Sequence, residues 1–148
     1  MKLKNVLNGL DILSASADLD QEISGVSYDS RTVEKGNVFV AISGEAVDGH
    51  RFIPMAMEKG AVCVVCEHIP EGNIPYVQVA HSRRALALMA GNWFDHPDRE
   101  MTMIGITGTS GKTTSTYLIK SILEQKAGAK VGLVGTIQNM IGTQVLHT

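Results

Sequence analysis

Long apolar runs are missing from this 148-residue sequence. The longest, residues 60–66 and 85–90, fall far short of the roughly 18 residues that span a bilayer, so no membrane partner is expected. A secretory leader is not expected either. Lys2 and Lys4 suit its start, but Asn8, Gly9 and Asp11 break the apolar stretch that should follow. Cysteine is scarce: two residues are too few for a disulfide framework, which suits a reducing, cytoplasmic compartment. Neither charge dominates, with 13 Lys+Arg against 15 Asp+Glu and a net charge of −2, so there is no general pull toward nucleic acid. The five histidines are scattered without metal-ligand spacing. There is no internal repeat and no low-complexity tract. What remains, 44% hydrophobic and 19% charged residues, is the make-up of a folded globular chain.

Length alone allows one average domain, but the pattern divides in two, at residues 1–97 and 98–148. In the first part, residues 23–29 and 37–42 read as strands separated by polar turns. A helix is expected from Pro54 to Gly60, with Phe52, Ile53, Ala56 and Met57 as its buried stripe. The Val-rich run 61–66 reads as a buried strand and residues 76–79 as another. Ser82 suits the N-cap of a helix whose core face carries Leu86, Met89, Ala90, Trp93 and Phe94. Residues 95–98 then form a linker. The second part opens on the apolar stretch 101–106, the pattern of a central parallel strand, followed by a glycine-rich turn. A helix over about 112–125 with Leu118, Ile119, Ile122 and Leu123 buried comes next, then a strand over 130–135. This is a β-loop-α-β unit, the start of a parallel-sheet α/β domain.

Gly108-Thr109-Ser110-Gly111-Lys112-Thr113-Thr114 lies between that strand and helix, the setting a phosphate-binding loop requires. Glycines let successive backbone N–H groups turn toward phosphate oxygens, and the helix N-terminus adds partial positive charge. Lys112 suits charge neutralisation on the β- and γ-phosphates of ATP, and the Thr113 hydroxyl suits Mg²⁺. The longer Gly-x-x-x-x-Gly-Lys form is not met, because Ile106 stands five before Gly111; the loop is the shorter Gly-x-x-Gly-Lys-Thr. The only acid after Thr114 is Glu124, too late in its helix to reach a metal at the loop, so the chain is expected to be a piece of a longer enzyme.

The stretch from Gly105 to Thr114 resembles the shortened loop of the Mur ligases, the ATP-dependent amino-acid ligases of peptidoglycan synthesis. Tyr28-Asp29-Ser30-Arg31-Thr32-Val33, the segment from Gly36 to Ala41, Gly44, and Asp48-Gly49-His50 through Ile53 resemble the same family's nucleotide-sugar-binding domain. Gly132-Leu133-Val134-Gly135-Thr136-Ile137 is similar to the branch that adds the third amino acid. Ser110 departs from the family, which commonly has Asn there.

The resemblance implies an N-terminal domain that binds the UDP part of UDP-MurNAc-L-Ala-D-Glu, through Ser30, followed by the beginning of a central ATP-binding domain. It implies ligation of diaminopimelate or lysine through an acyl phosphate, with roles in cell-wall biogenesis, cell shape and division, by a monomeric enzyme whose fragment is inactive alone. Residues Gly108, Thr109, Ser110, Gly111, Lys112, Thr113 and Thr114 would hold ATP, with Lys112 catalytic and Thr113 on Mg²⁺. The ligase acting next in the pathway, an unrelated P-loop small-molecule kinase and a non-enzymatic nucleotide-binding module stay open as alternatives.

Other motifs read more plainly. Asp29 and Arg31 suit a structural ion pair or cap. Asp48-Gly49-His50 suits either the pocket or the turn into the helix at Pro54. Cys63 and Cys66 have a metal-like spacing, but on a strand positions i and i+3 face opposite ways, which makes them buried structural thiols.

Overall fold

The structure, a computed structural model, describes residues 1–44 and 47–146. The chain divides into two compact units, Met1–Thr102 and Met103–Thr148.

The first unit contains helix α1 (Leu3–Val6), strands β1 (Ile12–Ala15), β2 (Gly25–Ser27) and β3 (Asn37–Val40), helix α2 (Ile53–Glu58), strands β4 (Cys63–Cys66) and β5 (Tyr76–Val79), and helix α3 (Ser82–Trp93). The strands form one sheet in the order β1-β5-β4-β3-β2. Strands β2 to β5 run parallel, and β1 joins β5 antiparallel. All four residues of β3 and of β4 are buried, as a sheet covered on both faces requires. The strand period of two sorts their side chains. Val38, Val40, Cys63, Val65, Val77 and Val79 pack with Leu3 and Val6 of α1 and Ala85 and Met89 of α3. Phe39, Val64 and Cys66 pack with Ile53 and Ala56 of α2 on the other face. The result is a three-layer α/β sandwich, with Cys63 and Cys66 in different layers as expected. Burial pushes their thiols up to about 12 and about 11, with Cys66 adding to the rise at Cys63.

Three expectations in this unit are corrected. Ser82 does not cap α3; it is its first residue, and His81 is the N-cap. Phe94 is 69% exposed, because it stands just past the end of α3, where Asp95 and His96 take left-handed conformations and turn the chain away. Phe52 ends a short 3-10 turn, Gly49–Phe52, and is exposed; Ile53 and Ala56 alone are fully buried on α2.

The second unit contains helix α4 (Lys112–Ala127) and strands β6 (Gly132–Leu133), β7 (Asn139–Ile141) and β8 (Gln144–Leu146), the strands forming an antiparallel sheet in that order. Among the described residues the apolar stretch 101–106 pairs with no strand, and β6 is shorter than expected and pairs antiparallel with β7. A parallel strand needs a parallel neighbour to complete its ladder, and this unit presents only the β6-β7-β8 meander. Helix α4 packs on β6 through a stripe that only partly overlaps the expected one, keeping Ile119 and Leu123 but not Leu118 and Ile122. Lys120 is buried and Thr113, Thr116, Tyr117, Ile119, Leu123 and Glu124 are half-buried, whereas Leu118 and Ile122 are exposed. Buried Lys120 is neutralised one turn on by Glu124, at 2.7 and 2.8 Å from its two carboxylate oxygens.

Candidate functional site

In the first unit four parallel strands end along one edge of the sheet, the place where open α/β sheets receive ligands. The turn after β2 carries Ser30, which is 7% exposed. Its neighbours build the turn. The Asp29 carbonyl accepts the Ser27 hydroxyl (3.0 Å), the Thr32 hydroxyl (3.0 Å) and the Thr32 N–H (3.0 Å). The Asp29 carboxylate takes the Arg31 N–H at 2.9 Å and its guanidinium at 2.7 to 3.1 Å. That guanidinium first, then the Arg31 N–H, holds the Asp29 carboxyl down at about 2. Lys59, at the end of α2, donates to the Arg31 carbonyl at 2.6 Å. Asp29 and Arg31 therefore form the ion pair expected of them, and Ser30 sits at the centre of a turn fixed from both sides.

The next strand ends hold a network that sequence reasoning did not anticipate. Glu67, just past β4, accepts the Ser43 hydroxyl at 2.9 Å on one carboxylate oxygen. Its other oxygen accepts the Ser82 N–H at 2.8 Å and the Ser82 hydroxyl at 2.9 Å. Burial alone raises this carboxyl, but the Ser82 N–H, the Ser82 hydroxyl and the Ser43 hydroxyl outweigh it and leave Glu67 below its usual range. Glu67 thus supplies at the head of α3 the acceptor oxygen that Ser82 was expected to supply as a cap, and with it a negative charge. Asp48 accepts the His50 N–H at 3.0 Å and the His50 Nδ1 at 2.6 Å, and those two donors hold its carboxyl down. Asp48-Gly49-His50 is therefore the turn into α2, and the imidazole has a second partner beyond it.

The second unit carries the glycine-rich loop. Gly111 adopts a left-handed conformation (φ +75°) as N-cap of α4, and no side chain closes the helix end. Gly108 also has positive φ (+145°), so the loop depends on glycine for its backbone and not for room. The first N–H groups of α4 consequently point outward without an intrahelical acceptor. No acidic residue stands in the first turn to occupy them. The Lys112 amine folds back on the Gly108 carbonyl, within reach of the same space. Thr109, Ser110 and Thr114 are exposed and Thr113 half-buried, with the Thr113 carbonyl taken by the Thr116 hydroxyl at 2.7 Å. Such an exposed N-terminus with an adjacent ammonium accommodates a polyphosphate. Among the described residues no group of three or more His, Cys, Asp or Glu side chains is placed to hold a metal, and no helix is long and apolar enough to cross a membrane.

Comparison with known proteins points to one family. The catalytic domain of the Mur ligase family matches residues 22–94, and the Mur ligase middle domain matches residues 106–148. The UDP-N-acetylmuramoyl-L-alanyl-D-glutamate–2,6-diaminopimelate ligase of Clostridium tetani is 45% identical over 99% of this chain and 31% of its own length. The chain thus spans about a third of the length of such curated relatives. A MurF ligase of Thermotoga maritima, solved in complex with ADP, is 31% identical with a TM-score of 0.52 over 68% of this chain and 23% of that one. A solved UDP-N-acetylmuramoyl-L-alanyl-D-glutamate–2,6-diaminopimelate ligase covers 98% of this chain and 29% of its own with a TM-score of 0.71; at 22% identity it is similar in fold.

Proposed function

The chain belongs to the Mur ligase family, and from that premise we propose that it carries the uridine-nucleotide site and the phosphate loop of an ATP-dependent ligase joining diaminopimelate to UDP-N-acetylmuramoyl-L-alanyl-D-glutamate. The observation that carries the proposal is the uncapped head of α4 with Lys112 beside it, in the part of the chain that matches the family's middle domain. Residues 1–97 form the UDP-sugar domain, with Ser30 as its contact. Residues 98–148 open the ATP domain, with Gly108, Thr109, Ser110, Gly111, Lys112, Thr113 and Thr114 around the phosphates and the Thr113 hydroxyl on Mg²⁺. Diaminopimelate, not lysine, is chosen because the curated relatives carry it in their names.

The chemistry asked of these residues is electrostatic. When the substrate carboxylate takes the γ-phosphoryl of ATP, negative charge builds on the transferred group and the β–γ bridge. Lys112 and the N–H groups at the head of α4 balance it, and the resulting acyl phosphate is open to the incoming amine, with ADP and phosphate released. The enzyme works in the cytoplasm as a monomer.

The test is turnover and uridine-substrate affinity of Lys112→Ala in the full-length ligase. Losing one well-placed charge lowers turnover about 10²-fold or more, while affinity for the uridine substrate stays at the parent value. Thr113→Ala lowers turnover as well and recovers in part at high Mg²⁺. Near-parent turnover in Lys112→Ala would remove the loop from the ATP site.

A further inference from the structure

The Asp48-Gly49-His50 turn does more than start α2. Its imidazole is almost enclosed, at 12% exposure, and both ring nitrogens are engaged. Nδ1 lies 2.6 Å from an Asp48 carboxylate oxygen, which can only accept. Nε2 lies 2.9 Å from the Glu67 N–H, which can only donate. These partners dictate a neutral ring protonated at Nδ1, because Nε2 must offer a lone pair. The charged and titratable groups facing the ring are Asp48 on its own turn, and Glu67 with His68 at the end of β4, the His68 ring lying 5.3 Å away between centroids.

The segment between β3 and the 3-10 turn is closed on itself at its base. Gly49 donates to the Ile42 carbonyl at 2.9 Å, Ser43 bridges Asp48, and Gly44 donates to Val47 at 3.1 Å. A side chain at Gly49 would come within 2.7 Å of the Ile42 backbone, so the closure depends on glycine. These bonds draw together the described ends of the segment, residues 41–44 and 47–48, and the Ala41 N–H joins it at its start to the Val65 carbonyl of β4 at 2.8 Å. Beyond that bond, among the described residues, two side chains tie it to the residue that follows β4: the His50 Nε2 accepts the Glu67 N–H and the Ser43 hydroxyl donates to the Glu67 carboxylate. Strands β2 and β3 are parallel neighbours, with Ser27 opposite Phe39, so this loop leaves the sheet beside the turn that holds Ser30.

We infer that His50 is a positioning residue of the uridine-nucleotide site, pinning the Asp48-Gly49-His50 turn to the end of β4 so that this turn, on the strand end next to the one that carries Ser30, is in place before the nucleotide arrives. The inference rests on the assignment of that site to a uridine nucleotide, and preorganisation of this kind acts on affinity by removing the cost of ordering the turn.

Isothermal titration of the 148-residue chain with uridine 5′-diphosphate tests it, with urea unfolding run on each variant. His50→Ala weakens binding about tenfold or more, the size expected for one lost anchoring hydrogen bond. His50→Gln, whose side-chain oxygen accepts the Glu67 N–H, recovers binding to within a few-fold. Nitrogen-15 spectra of the parent show His50 protonated at Nδ1 alone. Parent-like affinity in His50→Ala, failure of a folded His50→Gln to recover binding, or a ring protonated at Nε2 overturns the inference and leaves the site assignment standing. Absence of binding in the parent, or undiminished binding in Ser30→Ala, refutes the site assignment itself and the inference with it.

Discussion

Replacing Glu67 with alanine removes an acceptor shared by three donors. Two of them belong to Ser82, which is fully buried at the head of α3, and one to Ser43, which returns to water at little cost. A buried donor left without an acceptor costs about 1–3 kcal/mol. Loss of the anion from the helix N-terminus adds about 0.3–1 kcal/mol. Water entering the vacated space would relieve one of the two Ser82 donors, which brings the expected destabilisation to about 1–4 kcal/mol. The upper end of that range is a large part of the roughly 5–15 kcal/mol typical of a folded domain. Glu67→Gln keeps the oxygen that serves Ser82 and should cost about 1 kcal/mol or less. Trp93, the single tryptophan, ends α3 and is half-buried, so its fluorescence in a urea titration follows the helix that Glu67 anchors. An alanine variant within 0.5 kcal/mol of the parent, or a glutamine variant as unstable as the alanine one, would refute the claim that these hydrogen bonds hold α3 in place.

Two further outcomes can be measured in the same titration. Met89→Ala, at a fully buried position, should cost about 2–5 kcal/mol, whereas Phe94→Ala should stay within about 0.5 kcal/mol because the ring faces solvent; equal effects would mean that α3 packs differently. Asp20, Asp29, Asp48 and Glu67 all have carboxyls held below their ordinary values. Their contribution is therefore complete above the unfolded carboxylate range near 4 and is lost as pH falls through the lower folded values. The part of the unfolding free energy that these carboxylates supply should stay level from pH 7 to about 5 and be lost toward pH 2, and a stability at pH 2 equal to that at pH 5 would contradict these pairings.

Much of the sandwich was legible because local chemistry and tertiary position agree there. The run 61–66 is Val-rich and uninterrupted, as a doubly covered strand must be, and the strand period alone separates Cys63 from Cys66. Residues 76–79, expected as a strand, became β5 without adjustment. Other features depended on distant partners. Strand β1 exists through its pairing with β5, whose Val79 lies far along the chain from Ile12, and no local pattern marked it. Ser82 has the chemistry of a cap, but a carboxylate fifteen residues earlier took that place. His50 was visible as part of a turn, while its second partner, the Glu67 N–H, depends on how the loop folds over β4. On α4 the apolar spacing of Leu118 and Ile122 is genuine, yet the face covered in this unit is the one that meets β6.

The sheet of the first unit also bears on self-association. A strand with unpaired backbone groups along its flank invites another chain to add to it, and long, flat, apolar strands are the most inviting. Here the apolar strands β3 and β4 occupy interior places, each paired on both sides. The two outer places fall to β2, three residues long, and to β1, whose register shifts between Ile12 and Ser14 and so departs from a regular template. The antiparallel return of β1 shields the flank of β5 that a purely parallel sheet would leave open. Concentrated solutions of the unit therefore have little regular strand edge through which to grow fibres, and the segments most prone to intermolecular stacking become available only after the sheet itself has opened.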